Sequence, residues 1–172
     1  MTLLRLLPAL GAVLLVVGLV RLSLLFRARA MRAFAERWHL QYVGPSAFSW
    51  RLMFSKVRPA IPILLPLAWW EASKIRQVWN VIEGQQNGVS VLIFDAYIGG
   101  SKGCYRTFLA SKTEQNPFRI DALRDYMVQS IGWTILYRVP FPLEVPWATW
   151  SMGIQRLEEH LNTLQVGSGL RA

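Results

Sequence analysis

Four places in this sequence carry residue types that could do chemistry. The run Gly99-Gly100-Ser101-Lys102-Gly103 is rich in glycine. Its backbone amides together with a lysine could hold an anion, which makes Gly100, Lys102 and Gly103 candidate anion-loop residues. The run lacks the G-x-x-x-x-G-K-[ST] spacing of a nucleotide-binding loop, and it joins two strand-like stretches where that loop joins a strand to a helix. Its simplest reading is a hairpin tip. Cys104 follows directly, but a nucleophilic cysteine needs a base within reach. The histidines, His39 and His160, are both far away in the chain, so a small strand residue is the expectation. Asp95 sits within VSVLIFDAY, and a core-facing carboxylate is costly unless paired. Arg106, across the next hairpin, is the expected partner. Glu158, Glu159 and His160 are consecutive on a helical pattern, so they do not converge on one metal ion and read as a solvated face. No catalytic, cofactor-binding or metal-binding set emerges, and no cofactor is expected.

Composition narrows the class. The chain has 172 residues, 53% hydrophobic and 17% charged, with one cysteine. Such a chain can bury a core, and it is neither disordered nor a disulfide scaffold. The net charge of +9 raises the question of nucleic acid. The arginines are scattered and densest near the N-terminus, with no recognised motif between them, so nucleic acid is not an expected partner.

The elements that position these residues start with an apolar rod. Residues 6–20 (LLPALGAVLLVVGLV) carry no charge, and apolar character resumes after Arg21. Residues 3–25 as one helix reach about 35 Å, enough for a hydrocarbon core of about 30 Å. Leu6, Leu10, Leu14, Val17, Val20 and Leu24 are the predicted membrane anchor. Pro8 falls in the first turns, where a missing donor matters least. The rival reading is a cleaved secretory signal ending at Ala28-Arg29-Ala30. That site lies within an arginine cluster well past the apolar run, so the uncleaved anchor is preferred. Arg27, Arg29, Arg32 and Arg37 follow the span and only Arg5 precedes it, which by the positive-inside rule puts the N-terminus outside and the rest in the cytoplasm. Arg27, Arg29 and Arg32 form the basic membrane flank; four charges with Arg37 are few for a polybasic cluster, so setting topology is the preferred reading and attraction to anionic lipid headgroups the alternative. Phe26, Ala30, Phe34 and Trp38 carry an apolar stripe onward at four-residue spacing.

Past the anchor, residues 41–43 read as a short strand. The stretch PAIPILLPLAWW, residues 59–70, has too much proline for a regular helix or central strand. An apolar loop packed over the domain's own core is the preferred reading, and Trp69 and Trp70 at the end of the stretch are the candidates for interfacial membrane contact in the alternative. Residues 78–84 and 89–97 read as strands joined by Asn87-Gly88, the strongest two-residue hairpin signal. Val91, Ile93 and Asp95 point one way from the second strand; Leu92, Phe94 and Ala96 point the other. Residues 105–110 make a third strand, giving an antiparallel meander. Residues 126–137 read as a further hairpin, against a competing helix over 118–131. From Trp147 the apolar positions 147, 150, 154, 157, 161 and 164 alternate steps of three and four. They predict an amphipathic helix over about 148–165, ending near Gly167.

The pattern N-V-I-E-G-x-x-N-G-x-x-V-L-I-F-D-x-x-I-G-x-x-K-G over residues 80–103, with GWTILYR at 132–138 and EEHLNTL at 158–164, resembles small bacterial membrane-anchored proteins of unknown function. That resemblance implies an N-terminal anchor and a small α+β domain, and it implies no activity. Residues 59–70 and 147–150 have no counterpart in it.

The sequence thus predicts an α+β protein: an N-terminal transmembrane helix, then an antiparallel sheet packed against a C-terminal amphipathic helix. Residues 1–30 form the anchor with its basic flank and 31–172 the cytoplasmic domain. The expected partners are the lipid bilayer, anionic headgroups and another membrane protein. A non-catalytic interaction module is the expected role. The alternatives are an enzyme of unrecognised type near Asp95 and Cys104, or an accessory subunit of a membrane complex.

Overall fold

The structure, a computed structural model, describes residues 3–44, 75–98, 104–112, 118, 120, 125–130, 132–138 and 152–168. The proline-rich 59–70 segment with Trp69 and Trp70, the loop holding Gly100, Lys102 and Gly103, and the 147–150 turn lie outside the described residues. Helix α1 (Leu3–Arg37) opens the fold. Six strands follow: β1 (Gln41–Tyr42), β2 (Ile75–Gln86), β3 (Val89–Ile98), β4 (Cys104–Ser111), β5 (Asp125–Ser130) and β6 (Trp133–Arg138). Helix α2 (Ile154–Ser168) comes last. The strands form one antiparallel sheet in the order β1-β2-β3-β4-β6-β5, so the architecture is α+β.

Turn chemistry sets the register. Asn87 and Gly88 both take positive φ (51° and 78°), as a tight two-residue hairpin requires, and they pair Gln86 with Val89. The hairpin over 126–137 forms as expected, with Gly132 at φ 74° and Ser130 opposite Trp133. It enters the sheet with β6 inward. WTILYR is buried through its middle four residues, whereas DYMVQS carries the polar residues that suit an edge.

The meander separates two apolar faces. Leu92, Phe94, Ala96, Phe108, Ala110, Ile135 and Tyr137 form one, to which no residue of either helix belongs. The other holds Ile82, Val91, Ile93, Leu109 and Leu136 and is shared by both helices: Met31, Phe34 and Ala35 from α1; Leu157, Leu161 and Leu164 from α2. The expected amphipathic stripe of the C-terminal helix is therefore correct over 154–164, although the helix starts at Ile154 rather than near 148.

Helix α1 crosses residue 30 without a break, at about 1.5 Å per residue some 52 Å of rod. Among the described residues it is the one helix long and apolar enough to cross a membrane. Leu10, Leu14 and Val17 are exposed, Val20 and Leu24 half-buried, and Leu6 lies within the same helix. The expected 26-30-34-38 stripe holds only in part: Phe34 is buried and Trp38 packs against the same core, but Phe26 is 58% exposed, and Arg27, Met31 and Ala35 complete the buried face. A strict four-residue spacing drifts around a helix of 3.6 residues per turn, whereas steps of four and three hold one face. Fully burying a side chain of the size of Met31 or Phe34 contributes about 1.5–3 kcal/mol. The helix ends at Arg37, and His39 turns the chain at φ 53°. Leu40 then packs over Gly84, where an added Cβ would stand 2.7 Å from Leu40 Cδ2. A side chain at position 84 would push the tip of Leu40 aside, while the Leu40 backbone at 3.5 Å is in ordinary contact.

Candidate functional site

The densest polar constellation among the described residues is built around Asp95, buried in the centre of β3 on the face that receives the helices. Alternation along VSVLIFDAY puts it there with Val91 and Ile93, as the sequence predicts. Its partner differs from the expectation. Register sets Arg106 opposite Ala96, hence on the other face, where its guanidinium carbon lies 5.5 Å from the centre of the Tyr137 ring. Asp95 is opposite Thr107 and meets Arg27 of α1.

The carboxylate is held on four sides. Arg27 Nε donates to Oδ2 at 3.1 Å and Nη2 to Oδ1 at 3.1 Å. The Thr107 hydroxyl donates to Oδ1 at 2.6 Å, and Asn80 Nδ2 donates to Oδ2 at 2.9 Å. Arg27 Nη2 also donates to Thr107 Oγ1 at 2.9 Å, and the Tyr42 hydroxyl donates to Asn80 Oδ1 at 2.8 Å. Burial raises the Tyr42 pKa, with nearby Arg32 pulling it down and Asp95 pushing it up, so the phenol keeps the proton it donates.

A backbone irregularity aims one of these groups. Trp79 pairs with Asp95 but Ile82 with Ile93, so β2 carries one extra residue there. Asn80 sits in that bulge at φ 51°, a conformation asparagine tolerates better than its β-branched neighbours. The sequence signal was an asparagine amid Val, Trp and Ile, and strand periodicity alone reads past it. Thr107 and Tyr42 carried no separate signal.

The basic flank is thereby divided. Arg27 is buried in the Asp95 seat rather than turned to headgroups. Arg29 is exposed. Arg32 is also exposed, with its guanidinium carbon 5.3 Å from the centre of the Tyr42 ring. Chemically, an aspartate with every lone pair engaged and a two-point arginine is a clamp. It leaves Asp95 no accessible oxygen for general acid or base work.

A second acidic cluster lies at the β5 edge. Asp125 accepts from Arg156 Nη2 at 2.6 Å, and His160 Nε2 stands 3.5 Å from the same Oδ2, long for a hydrogen bond. His160 is 2% exposed, against the expected solvated face, because positions 157, 160, 161 and 164 form one helical stripe. Glu159 remains exposed and Glu158 half-buried beside Arg37. Burial lowers the His160 pKa, against the opposing pull of Asp125. The two histidines stay apart: His39 is exposed at the end of α1, and His160 packs edge-on to Phe118. Among the described residues no three His, Cys, Asp or Glu side chains group as a metal site would require. Compared with known proteins, the chain matches no family model, no curated protein and no solved structure.

Proposed function

We propose that this chain is a single-pass membrane protein that holds a non-catalytic interaction module against the cytoplasmic face of a bilayer, N-terminus outside. The supporting observation is the continuity of α1. Its first turns present exposed Leu10, Leu14 and Val17, and the same helix is seated on the sheet by Arg27 and Asp95 with no intervening linker. The clamp lies about two helical turns past Val20, so the domain is held close to the lipid surface at a fixed angle to the rod. Exposed Arg29 and Arg32 face anionic headgroups in this reading. The resemblance to small bacterial membrane-anchored proteins belongs to the same proposal, as does a membrane-protein partner.

The experiment is extraction and topology on the full chain. Carbonate washing leaves the protein in the membrane pellet, and a phosphatase fused after Ala172 is inactive while a fluorescent protein there is bright. Release into the carbonate supernatant overturns the anchor, and an active phosphatase overturns the orientation.

A further inference from the structure

At the end of the sheet away from the exposed turns of α1 there is a cleft of about 580 Å³, within the usual size of small-ligand sites. Its lining follows from register. Gln85 pairs with Ser90, the Lys112 amide donates to the Ser90 carbonyl, and Ser111 opposite Thr134 brings Lys112 level with Trp133. Gln85, Ser90, Lys112 and Trp133 thus stand in one row across β2, β3, β4 and β6. Glu83 and Gln41, paired across β1 and β2, stand one row back on the same face. Glu83 lies opposite Leu92, so the row belongs to the face of Leu92 and Phe94, to which, among the described residues, neither α1 nor α2 contributes. The row crosses three strand spacings, about 14 Å. It is bounded by the half-buried indole of Trp133 and by the exposed amide of Gln85.

We propose that this furrow binds a neutral, linear oligosaccharide. Amide, hydroxyl, carboxylate and ammonium groups along one line supply both donors and acceptors, which is what a row of sugar hydroxyls needs. The Trp133 indole at one end is half-buried against the core, and its remaining apolar surface suits the C–H face of a sugar ring. Among the described lining residues Glu83 and Lys112, two strands and one row apart and so about 12 Å from each other, balance in charge, which favours a neutral ligand over a phosphate. The proposal does not depend on membrane anchoring.

The test is calorimetry and saturation-transfer NMR on the full chain in lipid nanodiscs, with maltotriose, cellotriose and chitotriose as neutral probes and inositol hexakisphosphate as the anionic one. At least one neutral trisaccharide binds saturably. Trp133→Ala and Gln85→Ala each weaken it tenfold or more, while Trp133→Phe, which keeps a ring, loses less. Gln85 is exposed, so its variant folds and decides the matter even where Trp133→Ala does not. Binding of none of the three sugars, tighter binding of inositol hexakisphosphate, or unchanged affinity in Gln85→Ala each overturns the proposal.

Discussion

Asp95 and Asp125 are both buried acids facing an arginine on a helix, yet they are unequal neighbours. Asp95 lies in the middle of the sheet, where β2 and β4 flank it and supply Asn80 and Thr107 alongside Arg27. Asp125 lies on the outermost strand among the described residues, and its contacts include Arg156, one-third exposed at its side chain, and a poorly placed imidazole. A central strand offers a carboxylate partners from both sides and from the layer above. An edge strand offers one side, and the remainder must come from a helix that can reach it. For that reason the first cluster is a permanent clamp, and the second, with an imidazole in it, responds to pH.

The comparison can be broken first at Arg27. Arg27→Met strands a buried carboxylate, and chemical denaturation is expected to show a loss of about 3–5 kcal/mol. The double change Arg27→Met with Asp95→Leu should recover much of that loss, because a hydrophobic pair of similar volume avoids the desolvation cost of the ions. If the single change costs nothing, the clamp is not what seats the helix. Asn80→Ala comes next. It removes one donor from Asp95 and places alanine at φ 51°, which asparagine tolerates better; roughly 1–3 kcal/mol is expected by the same measurement.

At the edge cluster the effects shrink. Arg156→Ala is expected to cost about 2 kcal/mol, less than Arg27→Met because water can reach the vacated position. The His160 effect depends on pH, and burial sets its sign. The folded-state pKa lies below the ordinary value of 6.5, so the unfolded chain takes up the proton first as pH falls. The stability from keeping His160 neutral is complete above 6.5 and is lost as pH drops from there through the lowered folded value. Melting temperatures from pH 8 to 5 should fall more steeply for the wild type than for His160→Gln, and parallel curves would remove His160 from the account. The smallest effect belongs to Arg37→Ala. Its ion pair with Glu158 is largely exposed, so a change of less than about 1 kcal/mol is expected, shrinking further in high salt.

Several features were legible before any tertiary contact was known. The hairpin at Asn87-Gly88 follows from positive φ, the alternation that turns Asp95 inward follows from strand geometry, and the spacing 154-157-161-164 follows from the helical repeat. Asp95 was recognisable as a core-facing acid needing a partner. Its partner was not recognisable, because Arg27 is 68 residues away and sits in a run that looks like an ordinary basic flank. Likewise His160, beside two glutamates, looks solvated until α2 is docked and its stripe is seen to include position 160.

By itself, then, the sequence determined the local periodicities: an apolar rod, paired strands with their turns, and a helix with one greasy side. Those depend on residues within a few positions of each other, where backbone geometry is fixed. Only the tertiary structure decided that both helices share one face of the sheet, that β6 takes the inner position, and that a bulge turns Asn80 toward the same carboxylate Arg27 reaches. Those outcomes are set by desolvation and hydrogen bonding between distant segments, and no local pattern encodes which distant group will arrive.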